Sequence, residues 1–314
     1  MKLITVVTAC FNEEANVREV AERVRTALAP YEGRYRYEHV FIDNASTDRS
    51  VDILREIARS DPRVKIILNR RNFGPFRSPT HAFMQAGGDA VIPMAGDLQD
   101  PPEMLPRFIE KWEQGFKVVL AVKSGSDESS AMYALRTFYY RVLGRLAEVE
   151  LMPHTTGFGL YDKEFMDLFR ALDDPYPYAR GLPAEFGFET ATIPFQQPAR
   201  TRGRSKLSFY SLFDQAMIAI TTHSRFPLRV ATLCGFGLSG LSFLAGLGYL
   251  IYKLIYWNNF AVGIAPIVIG LFFCFSVVLF CIGILGEYIA VVHTRLMRRP
   301  LVIEKERVNF EGPT

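Results

Sequence analysis

The sequence predicts an α/β fold in which a doubly wound, mostly parallel sheet is followed by two long apolar helices. Short β-branched runs alternate with amphipathic helical patterns over the first 125 residues, at the spacing typical of βαβ units. Polar residues follow the ends of these runs, where open α/β sheets bind ligands. Beyond residue 228 the chain turns apolar, in stretches longer than the roughly 20 residues needed to cross a bilayer.

Local patterns justify each element in order. The run at 3–10 is rich in β-branched residues and predicts a buried parallel strand. Apolar residues at i, i+3 and i+4 spacing between 17 and 28 predict a helix with one buried face. Further strands are predicted at about 39–43, 64–68, 90–94, 118–123 and 189–195. Further helices are predicted after an N-cap at Ser46 or Thr47, from Ser78 to about 87, and at 133–146.

Composition narrows the possible classes of function. The 314-residue chain carries a net charge of +3, which gives no support for nucleic-acid binding. It is 49% hydrophobic, with a mean hydropathy of +0.09, and the apolar excess lies after residue 228. The four cysteines show neither metal-site nor disulfide spacing, which favours buried thiols in a reducing compartment. No signal-peptide pattern opens the sequence, so we expect the first half to stay in the cytoplasm.

The stretch 95–103 carries the strongest chemical signal. It follows an apolar predicted strand, so Asp97 stands at the carboxyl end of that strand. Asp97 and Gln99 offer two hard oxygen ligands, which suit Mg2+ or Mn2+ held partly by substrate phosphates. Asp100 precedes two prolines and lies three residues before Glu103, a spacing that predicts an N-cap with a capping-box partner.

This stretch, Asp97-Leu98-Gln99-Asp100-Pro101-Pro102-Glu103, resembles the acidic motif of family 2 glycosyltransferases of the polyprenyl-phosphate type. These enzymes are similar to dolichol-phosphate mannose synthase and to the bacterial GtrB-like proteins. Three other loops resemble family motifs, namely Phe11-Asn12-Glu13, Asp43 to Asp48 and Asn69 to Gly74. The resemblance implies a GT-A-like fold. The chain departs from the family at Ala95, where an Asp is usual, so one expected carboxylate is missing.

The resemblance implies a nucleotide-sugar site on these loops. Its implied ligands are Thr8, Phe11, Asn12, Glu13, Asp43, Asn72 and Asp97. The implied metal ligands are Asp97 and Gln99, with Mg2+ or Mn2+ as the ion. Helix capping is the alternative role for Glu13 and Asp43. Turn geometry alone is the alternative for Asn72.

A second group of residues resembles the family's means of binding an acceptor phosphate. Its implied members are Lys123, Arg136, Arg200, Arg202, Ser205 and Lys206. Four cations in the seven residues 200–206, around a glycine, suit phosphate groups. A polybasic patch on anionic lipid is the alternative for this loop. A solvated helix face is the alternative for Arg136.

The block from Thr155 to Asp162 resembles one that carries a proposed base in the family. The base and a following Arg would fall at Gly157 and Gly159, so both side chains are missing. Asp162 matches the last Asp of the block, and capping of the next helix is its alternative role. The implied catalytic residues are Asp97, Asp162, Arg200 and Lys206. A phosphate acceptor, with a second pKa of about 6, needs little help from a base.

Four regions are predicted along the chain. These are a cytoplasmic catalytic domain at 1–207, an interfacial amphipathic helix at 208–227, two transmembrane helices within 228–293 (about 230–252 and 262–292), and a cytoplasmic tail at 294–314. Arginines flank the apolar pair, so the positive-inside rule places both termini in the cytoplasm of an inner or plasma membrane protein. A buried core helix is the alternative for each stretch. The resemblance also implies a homo-oligomer, a tetramer as in GtrB-type enzymes.

The patterns and the resemblance together predict a glycosyltransferase, and the resemblance implies that it inverts the anomeric configuration. It would transfer a sugar from a UDP- or GDP-sugar to a polyprenyl phosphate at the cytoplasmic membrane face, with a metal neutralising the leaving diphosphate. A lipid hydroxyl acceptor is an alternative, but it would need a base that Gly157 does not supply. The other alternative is a non-catalytic membrane scaffold that binds nucleotide. No motif identifies the sugar.

Overall fold

The computed structural model describes residues 1–125, 155–172, 181–198, 226–255, 264–296 and 299–310. The chain forms two compact units. The first comprises Met1–Gly144, Val149–Leu207 and Arg298–Thr314, and its described part contains a sheet. The second comprises Arg145–Glu148 and Ser208–Met297, and its described part contains two long helices.

An eight-stranded sheet organises the first unit. Its strands are β1 Lys2–Cys10, β2 Tyr35–Asp43, β3 Val64–Asn69, β4 Ala90–Ala95, β5 Val118–Gly125, β6 Thr155–Asp162, β7 Thr190–Gln196 and β8 Glu304–Val308. Their spatial order is β7-β5-β6-β4-β1-β2-β3-β8. The strands β1 to β4 run parallel, whereas β6 and β8 run antiparallel to their neighbours. The predicted mostly parallel α/β sheet is confirmed.

Helices cover both faces of this sheet. They are α1 Val17–Leu28, α2 Ser50–Ser60, α3 Arg77–Gln85, α4 Leu105–Glu113, α5 Lys163–Ala171 and the short α6 Leu182–Glu185. Buried side chains of α1, α2 and α4 join one apolar cluster, and those of α3 and α5 join another. In β2, Phe41 packs in the first cluster and Ile42 in the second, because successive strand residues point to opposite faces. The core therefore lies in two layers, one on each side of the sheet.

The parallel register brings four strand ends together, at what we call the carboxyl edge. Cys10 pairs with Asp43, the last residue of β2, and Ala9 pairs with Ala95, the last residue of β4. The loops that follow β1, β2, β3 and β4 therefore all start at this edge. The polar loops predicted from the sequence are neighbours in the fold, as the general rule for open α/β sheets requires.

The last described segment is a strand, where the sequence predicts only a polar tail. β8 pairs antiparallel with β3. Val302, just before it, is buried, and Asn309, just after it, donates from Nδ2 to the carbonyl oxygens of Ala58 and Val64 at 2.7 and 2.8 Å. Part of the predicted tail at 294–314 is therefore a strand of the sheet, and the cytoplasmic location of the tail stays a prediction. The charged composition of this segment hid a strand that covers the edge of the sheet.

Two long helices, α7 Phe226–Ile255 and α8 Ile264–Leu296, occupy the two predicted apolar stretches. Many of their large apolar side chains are exposed, including Phe236 on α7 and Phe273 on α8. Within the described residues, one window is long and apolar enough to cross a membrane, Phe273–Ala290 of α8, judged by length and composition only. A membrane-spanning pair of helices therefore stays a prediction.

Candidate active site

Reciprocal hydrogen bonds join the loops after β1 and β2. Asn12 has a φ of 54°, and its Oδ1 accepts a hydrogen bond from Thr47 N at 2.7 Å. Asn12 N in turn donates to Ser46 Oγ at 2.8 Å. Glu13 N donates to Ser50 Oγ, also at 2.8 Å. Asn12 and Glu13 thus fix the relative position of the two loops.

The helix α2 consequently begins later than predicted, at Ser50 rather than after Ser46 or Thr47. Asp48 Oδ1 accepts a hydrogen bond at 3.0 Å from the backbone N of Ser50, the first residue of the helix. Burial acts to raise the pKa of Asp48, but the hydrogen bonds from Ser50 hold it below its ordinary value. The predicted caps are wrong because Ser46 and Thr47 already contact the loop after β1.

Asn44 holds the turn after β3. Its Nδ2 donates to Asn72 Oδ1 at 3.0 Å and to Gly74 O at 3.1 Å. Its Oδ1 accepts hydrogen bonds from Asn69 Nδ2 at 3.2 Å and from Phe73 N at 2.9 Å. The sequence patterns assigned no role to Asn44. One signal was available in the sequence: asparagines occur in both loops, and an amide side chain can donate and accept hydrogen bonds at the same time.

Asn72 takes part in that turn. Its Oδ1 accepts a hydrogen bond from Gly74 N at 2.8 Å, and Gly74 has a φ of 91°, which favours glycine. The exposed Asn72 side chain therefore has the turn-forming role that was its alternative interpretation. Its contact with a nucleotide stays a prediction.

Asp43 is buried at the carboxyl edge and shapes the turn after β2. It accepts hydrogen bonds from Ser46 N at 2.9 Å and from Ser46 Oγ, and Cys10 Sγ lies 3.9 Å from its Oδ1. Burial raises the pKa of Asp43, and the hydrogen bonds from Ser46 oppose that rise. A contact between Asp43 and a base or ribose would require this turn to open.

Thr8 is fully buried within β1. Its Oγ1 lies 2.8 Å from Nε2 of His39, which is also buried. Thr8 therefore offers no surface to a nucleotide in this structure, contrary to the role implied by the resemblance. Phe11, by contrast, is half-buried and lines a cavity at the carboxyl edge.

The acidic loop follows β4. Leu98 has a φ of 62°, so the chain turns between Asp97 and Gln99. Gln99 N donates a hydrogen bond to Asp97 Oδ1 at 3.1 Å. Both Asp97 and Gln99 are half-buried. The two predicted metal ligands thus lie on the same tight turn at the end of a strand.

Asp100 closes the same loop instead of capping a helix. Its Oδ2 accepts a hydrogen bond from Ala95 N at 2.9 Å. The 3-10 turn that follows has no side-chain cap. Glu103, the predicted capping-box partner, accepts two hydrogen bonds of 2.8 Å from Arg23 of α1. The predicted capping box is therefore wrong, because both carboxylates have other partners.

A cavity of about 410 Å³ opens at the carboxyl edge, and we call it the edge cavity. Its walls come from the ends of β1 and β4, the loop after β3, the helix α3 and the start of β6. Aromatic rings contribute much of the lining, including Phe76, Phe83 and Tyr161. Asp100 is the single carboxylate among the described lining residues. An apolar cavity with one acid and several hydroxyls suits a polyhydroxylated ring better than an anion.

The edge cavity also shows where the family's carboxylates are missing. Ala95 and Gly157, the two positions that lack the expected Asp, both line it. Among the described residues, neither Asp97 nor Gln99 belongs to this lining. Asp100, on the acidic loop with Asp97, is thus the acid that remains.

The residues present fit a metal that is held mainly by its substrate. The described part of the chain has no group of three or more His, Cys, Asp or Glu that could hold a metal unaided. Asp97 and Gln99 supply one carboxylate and one amide oxygen, both hard ligands. Mg2+ and Mn2+ are commonly held by one or two such groups together with substrate phosphates.

Asp162 lies at the opposite edge of the sheet from Asp97. Because β6 runs antiparallel to β4, Asp162 pairs with Ala90, the first residue of β4. Its carboxylate accepts hydrogen bonds from Glu164 N at 3.0 Å and from Trp112 Nε1 at 2.7 Å. Burial acts to raise the pKa of Asp162, but the bond from Trp112 contributes to holding it low. Asp162 caps α5, which is the alternative role given to it above, and its catalytic role stays a prediction.

The backbone accounts for two of the chain's departures from the family. Gly157 has a φ of 91°, at which any residue with a Cβ is strained. A Cβ built on Gly159 would overlap the carbonyl oxygen of Val119 on β5. The missing base and the missing arginine are therefore coupled to a local backbone that suits glycine.

The predicted acceptor-phosphate residues fall mostly outside the described residues. Lys123 is half-buried on β5 and pairs with Phe195 of β7. The others are outside the described ranges, namely Arg136, Arg200, Arg202, Ser205 and Lys206. The predicted helix at 133–146 and nearly all of the predicted interfacial helix at 208–227 are also outside. Their roles stay predictions.

The sequence is similar to glycosyltransferases over nearly its whole length. Residues 5–169 match Glycosyl transferase family 2. The chain is 32% identical over 309 residues to the glycosyltransferase YkcC of Bacillus subtilis, with 98% of this chain and 95% of that protein covered. It is 32% identical over 306 residues to the bactoprenol glucosyl transferase of Shigella phage SfII, with 96% and 97% covered. The solved glucosyl-3-phosphoglycerate synthase of Mycobacterium tuberculosis is 18% identical, covering 70% of this chain and 77% of that one at a TM-score of 0.45.

The family match spans more than half of the chain and includes all four loops of the carboxyl edge. The alignments with the relatives cover nearly the whole chain. The protein is a glycosyltransferase, and the chain belongs to glycosyl transferase family 2.

Proposed function

We propose that the protein transfers a glycosyl group from a nucleotide-sugar to a polyprenyl phosphate. The observation that carries this proposal is the carboxyl edge, where the acidic loop of Asp97 and Asp100 meets a cavity large enough for a sugar ring. Four relatives named bactoprenol glucosyl transferase align over 96–97% of this chain, which supports a prenyl phosphate as the acceptor.

The nucleotide-sugar binds against loops that are already ordered. Hydrogen bonds join the loop of Asn12 and Glu13 to the loop after β2, and Asn44 fixes the turn of Asn72. Loops held in this way lose little conformational entropy when a ligand binds. Phe11 supplies an aromatic surface at the mouth of the edge cavity. The sugar enters that cavity, where Asp100 accepts hydrogen bonds from its hydroxyl groups.

Asp97 and Gln99 would hold Mg2+ or Mn2+ together with the diphosphate oxygens. When bound, this ion neutralises the charge that develops on the leaving nucleoside diphosphate. Ala95 supplies no ligand, so the metal and the donor are expected to bind together rather than separately.

The acceptor phosphate acts as the nucleophile. One of its oxygens attacks the anomeric carbon while the bond from that carbon to the nucleoside diphosphate breaks, and the configuration inverts. A phosphate monoester is largely ionised near neutral pH, so the glycine at position 157 removes no required base. The basic loop at 200–206, with Lys123 and Arg136, holds the acceptor phosphate by charge.

The two apolar helices keep this chemistry at a membrane. In the proposal, α7 and α8 span the inner or plasma membrane as a hairpin, with the catalytic unit and both termini in the cytoplasm. A long prenyl chain stays in the bilayer, so a membrane-bound enzyme meets its phosphate at the surface. Assembly as a homo-oligomer is part of the same proposal.

One assay tests the proposal against its two alternatives. Membranes containing the full-length protein are incubated with labelled UDP- and GDP-sugars, Mg2+ or Mn2+, and polyprenyl phosphate. A lipid-linked product that mild acid cleaves is the expected result. An acid-stable glycolipid would instead indicate a lipid hydroxyl acceptor. Nucleotide binding without product from any donor would indicate a scaffold.

A further inference from the structure

We propose that residues 300–310, which we call the strap, position one wall of the edge cavity through the helix α3. The strap follows α8 in the sequence and contains β8. The inference rests on the proposed function, because the edge cavity is the one assigned to the donor sugar. The strap contacts no lining residue of that cavity in any described hydrogen bond, so it acts as a positioning element.

The strap contacts α3 along one row of side chains. Arg77 Nη2 donates to Pro300 O at 2.7 Å, and Arg307 Nη2 donates to Gln85 Oε1 at 2.8 Å. Between them, His81 Nε2 lies 2.5 Å from Glu304 Oε1. The three helix residues are spaced by four, so they form a stripe along one side of α3. The strap therefore holds the helix along its whole length.

Another face of the same helix lines the edge cavity. Pro79, Thr80 and Phe83 contribute to the lining, and the Phe83 ring packs edge-on against Tyr161 with 5.1 Å between centroids. A helix moves as one body, because its backbone hydrogen bonds make it stiff. Any shift of the held stripe therefore shifts these lining side chains.

A β-bulge directs Glu304 towards α3. Leu68 of β3 opposes Glu306, whereas the next residue, Asn69, opposes Glu304, so β8 contains one extra residue at this point. In a regular strand Glu304 and Glu306 would share a face. Instead, Glu306 pairs with Arg55 of α2 at 2.6 Å, on the other side of the sheet from α3.

The Glu304 carboxylate is held from two sides. Arg307 donates to it at 2.5 and 2.7 Å, in addition to the contact with His81. The hydrogen bond from Arg307 lowers the pKa of Glu304. At the far end of α3, Arg170 of α5 donates to the carbonyl oxygens of Met84, at 2.9 Å, and of Ala86. The helix is thus fixed at its end by α5 and along its side by the strap.

Glu304→Gln tests the strap, and Glu306→Gln is a matched control on the same strand. The full-length enzyme is purified, and kcat and the KM for the nucleotide-sugar are measured. We expect Glu304→Gln to raise the donor KM about three- to tenfold, with kcat within about twofold, because a neutral amide holds His81 and Arg307 less strongly than the carboxylate does. Glu306→Gln should leave this KM unchanged. An unchanged KM in Glu304→Gln, or equal rises in both variants, would overturn the inference.

Hydrogen exchange provides a readout that does not depend on turnover. Amides of α3 should exchange faster in Glu304→Gln, with α2 unaffected, and Glu306→Gln should show the reverse. If the α3 amides of the Glu304 variant exchange as slowly as those of the wild-type protein, the inference is overturned. If the wild-type protein lacks transferase activity while the two variants show this exchange pattern, only the proposed function is contradicted. Should Glu304→Gln fail to fold, His81→Ala removes the same contact from the side of the helix and must give the same α3 response.

Discussion

Asn44 Nδ2 donates a hydrogen bond to Asn72 Oδ1 at 3.0 Å, so a buried amide after β2 fixes the turn after β3. The two residues are 28 positions apart in the sequence and lie on the loops that follow the adjacent parallel strands β2 and β3. Their contact makes the loops of the carboxyl edge one connected structure. Neither loop needs to form its final shape on its own.

Replacing Asn44 should therefore cost more than replacing Asn72. Asn44→Ala leaves the buried Phe73 amide without its acceptor and removes one of the two acceptors of Asn69 Nδ2, so we expect the free energy of unfolding to fall by about 1–3 kcal/mol. Asn72→Ala removes an exposed partner and should cost under about 1 kcal/mol. Urea unfolding of the purified full-length variants measures both. Equal decreases in the free energy of unfolding would contradict the conclusion that Asn44 holds the turn after β3.

Asp97 is predicted to be required for transfer but not for folding. Asp97→Ala should lower kcat by about 10²–10³-fold, because the metal that would neutralise the diphosphate loses its carboxylate ligand. Asp52→Asn, at an exposed position in the first turn of α2, is the control and should retain wild-type activity. The measurement is lipid-linked product at saturating Mn2+, with melting temperatures checked. Turnover that survives in Asp97→Ala would remove this residue from the mechanism.

Metal removal makes a separate prediction. Because Asp97 and Gln99 form only a partial ligand set, a chelator should stop transfer and added Mg2+ or Mn2+ should restore it. The metal should also bind more tightly in the presence of a nucleoside diphosphate than in its absence. Calorimetric titration of Mn2+ with and without UDP or GDP tests this coupling. Tight Mn2+ binding to the protein alone would show that other ligands hold the ion.

Gly159 is predicted to be essential for strand pairing. A Cβ at this position would overlap Val119 O, so Gly159→Ala must separate β5 from β6 and should lower the free energy of unfolding by about 1–3 kcal/mol. Gly33→Ala is the matched control, because nothing lies within 4 Å of its Cβ position, and it should cost under about 0.5 kcal/mol. Thermal unfolding compares the two. Similar melting temperatures would refute the close approach.

His39 should make stability depend on pH. Burial lowers the pKa of His39 to about 3, whereas an unfolded histidine titrates near 6.5. As the pH falls below about 6.5, His39 binds a proton in the unfolded chain but not in the folded chain. The free energy of unfolding therefore decreases as the pH falls. Between pH 7.5 and pH 5 this amounts to about 2 kcal/mol. His39→Gln should flatten the profile over this range, and an unchanged slope would show that other groups dominate.

Much of the fold could be predicted because its signals are local. Hydrophobic runs and helical periodicity located β1 to β5 and most of the helices, since burial on two faces leaves apolar strands. The acidic loop was also recognisable, because Asp97 follows a strand and precedes two prolines. These features depend on residues that are close in sequence.

What could not be predicted depends on contacts between distant segments. The caps of α2 and the role of Asp100 changed because their side chains bond to residues of other loops or of β4. The edge of the sheet at which Asp162 lies could not be predicted, because it depends on the direction of β6, and periodicity does not reveal strand direction. β8 gave no signal, since an edge strand tolerates the charges of its Glu-Lys-Glu-Arg run.

The position of β8 has a consequence for handling this protein in the laboratory. Without residues 300–310, the backbone amides and carbonyls of Val64–Asn69 would form a bare sheet margin. Such a margin recruits strands from neighbouring molecules, so shortened recombinant versions should precipitate even though every loop of the carboxyl edge is still encoded. Affinity tags belong beyond Phe310, separated by a spacer, and never in place of the outermost strand.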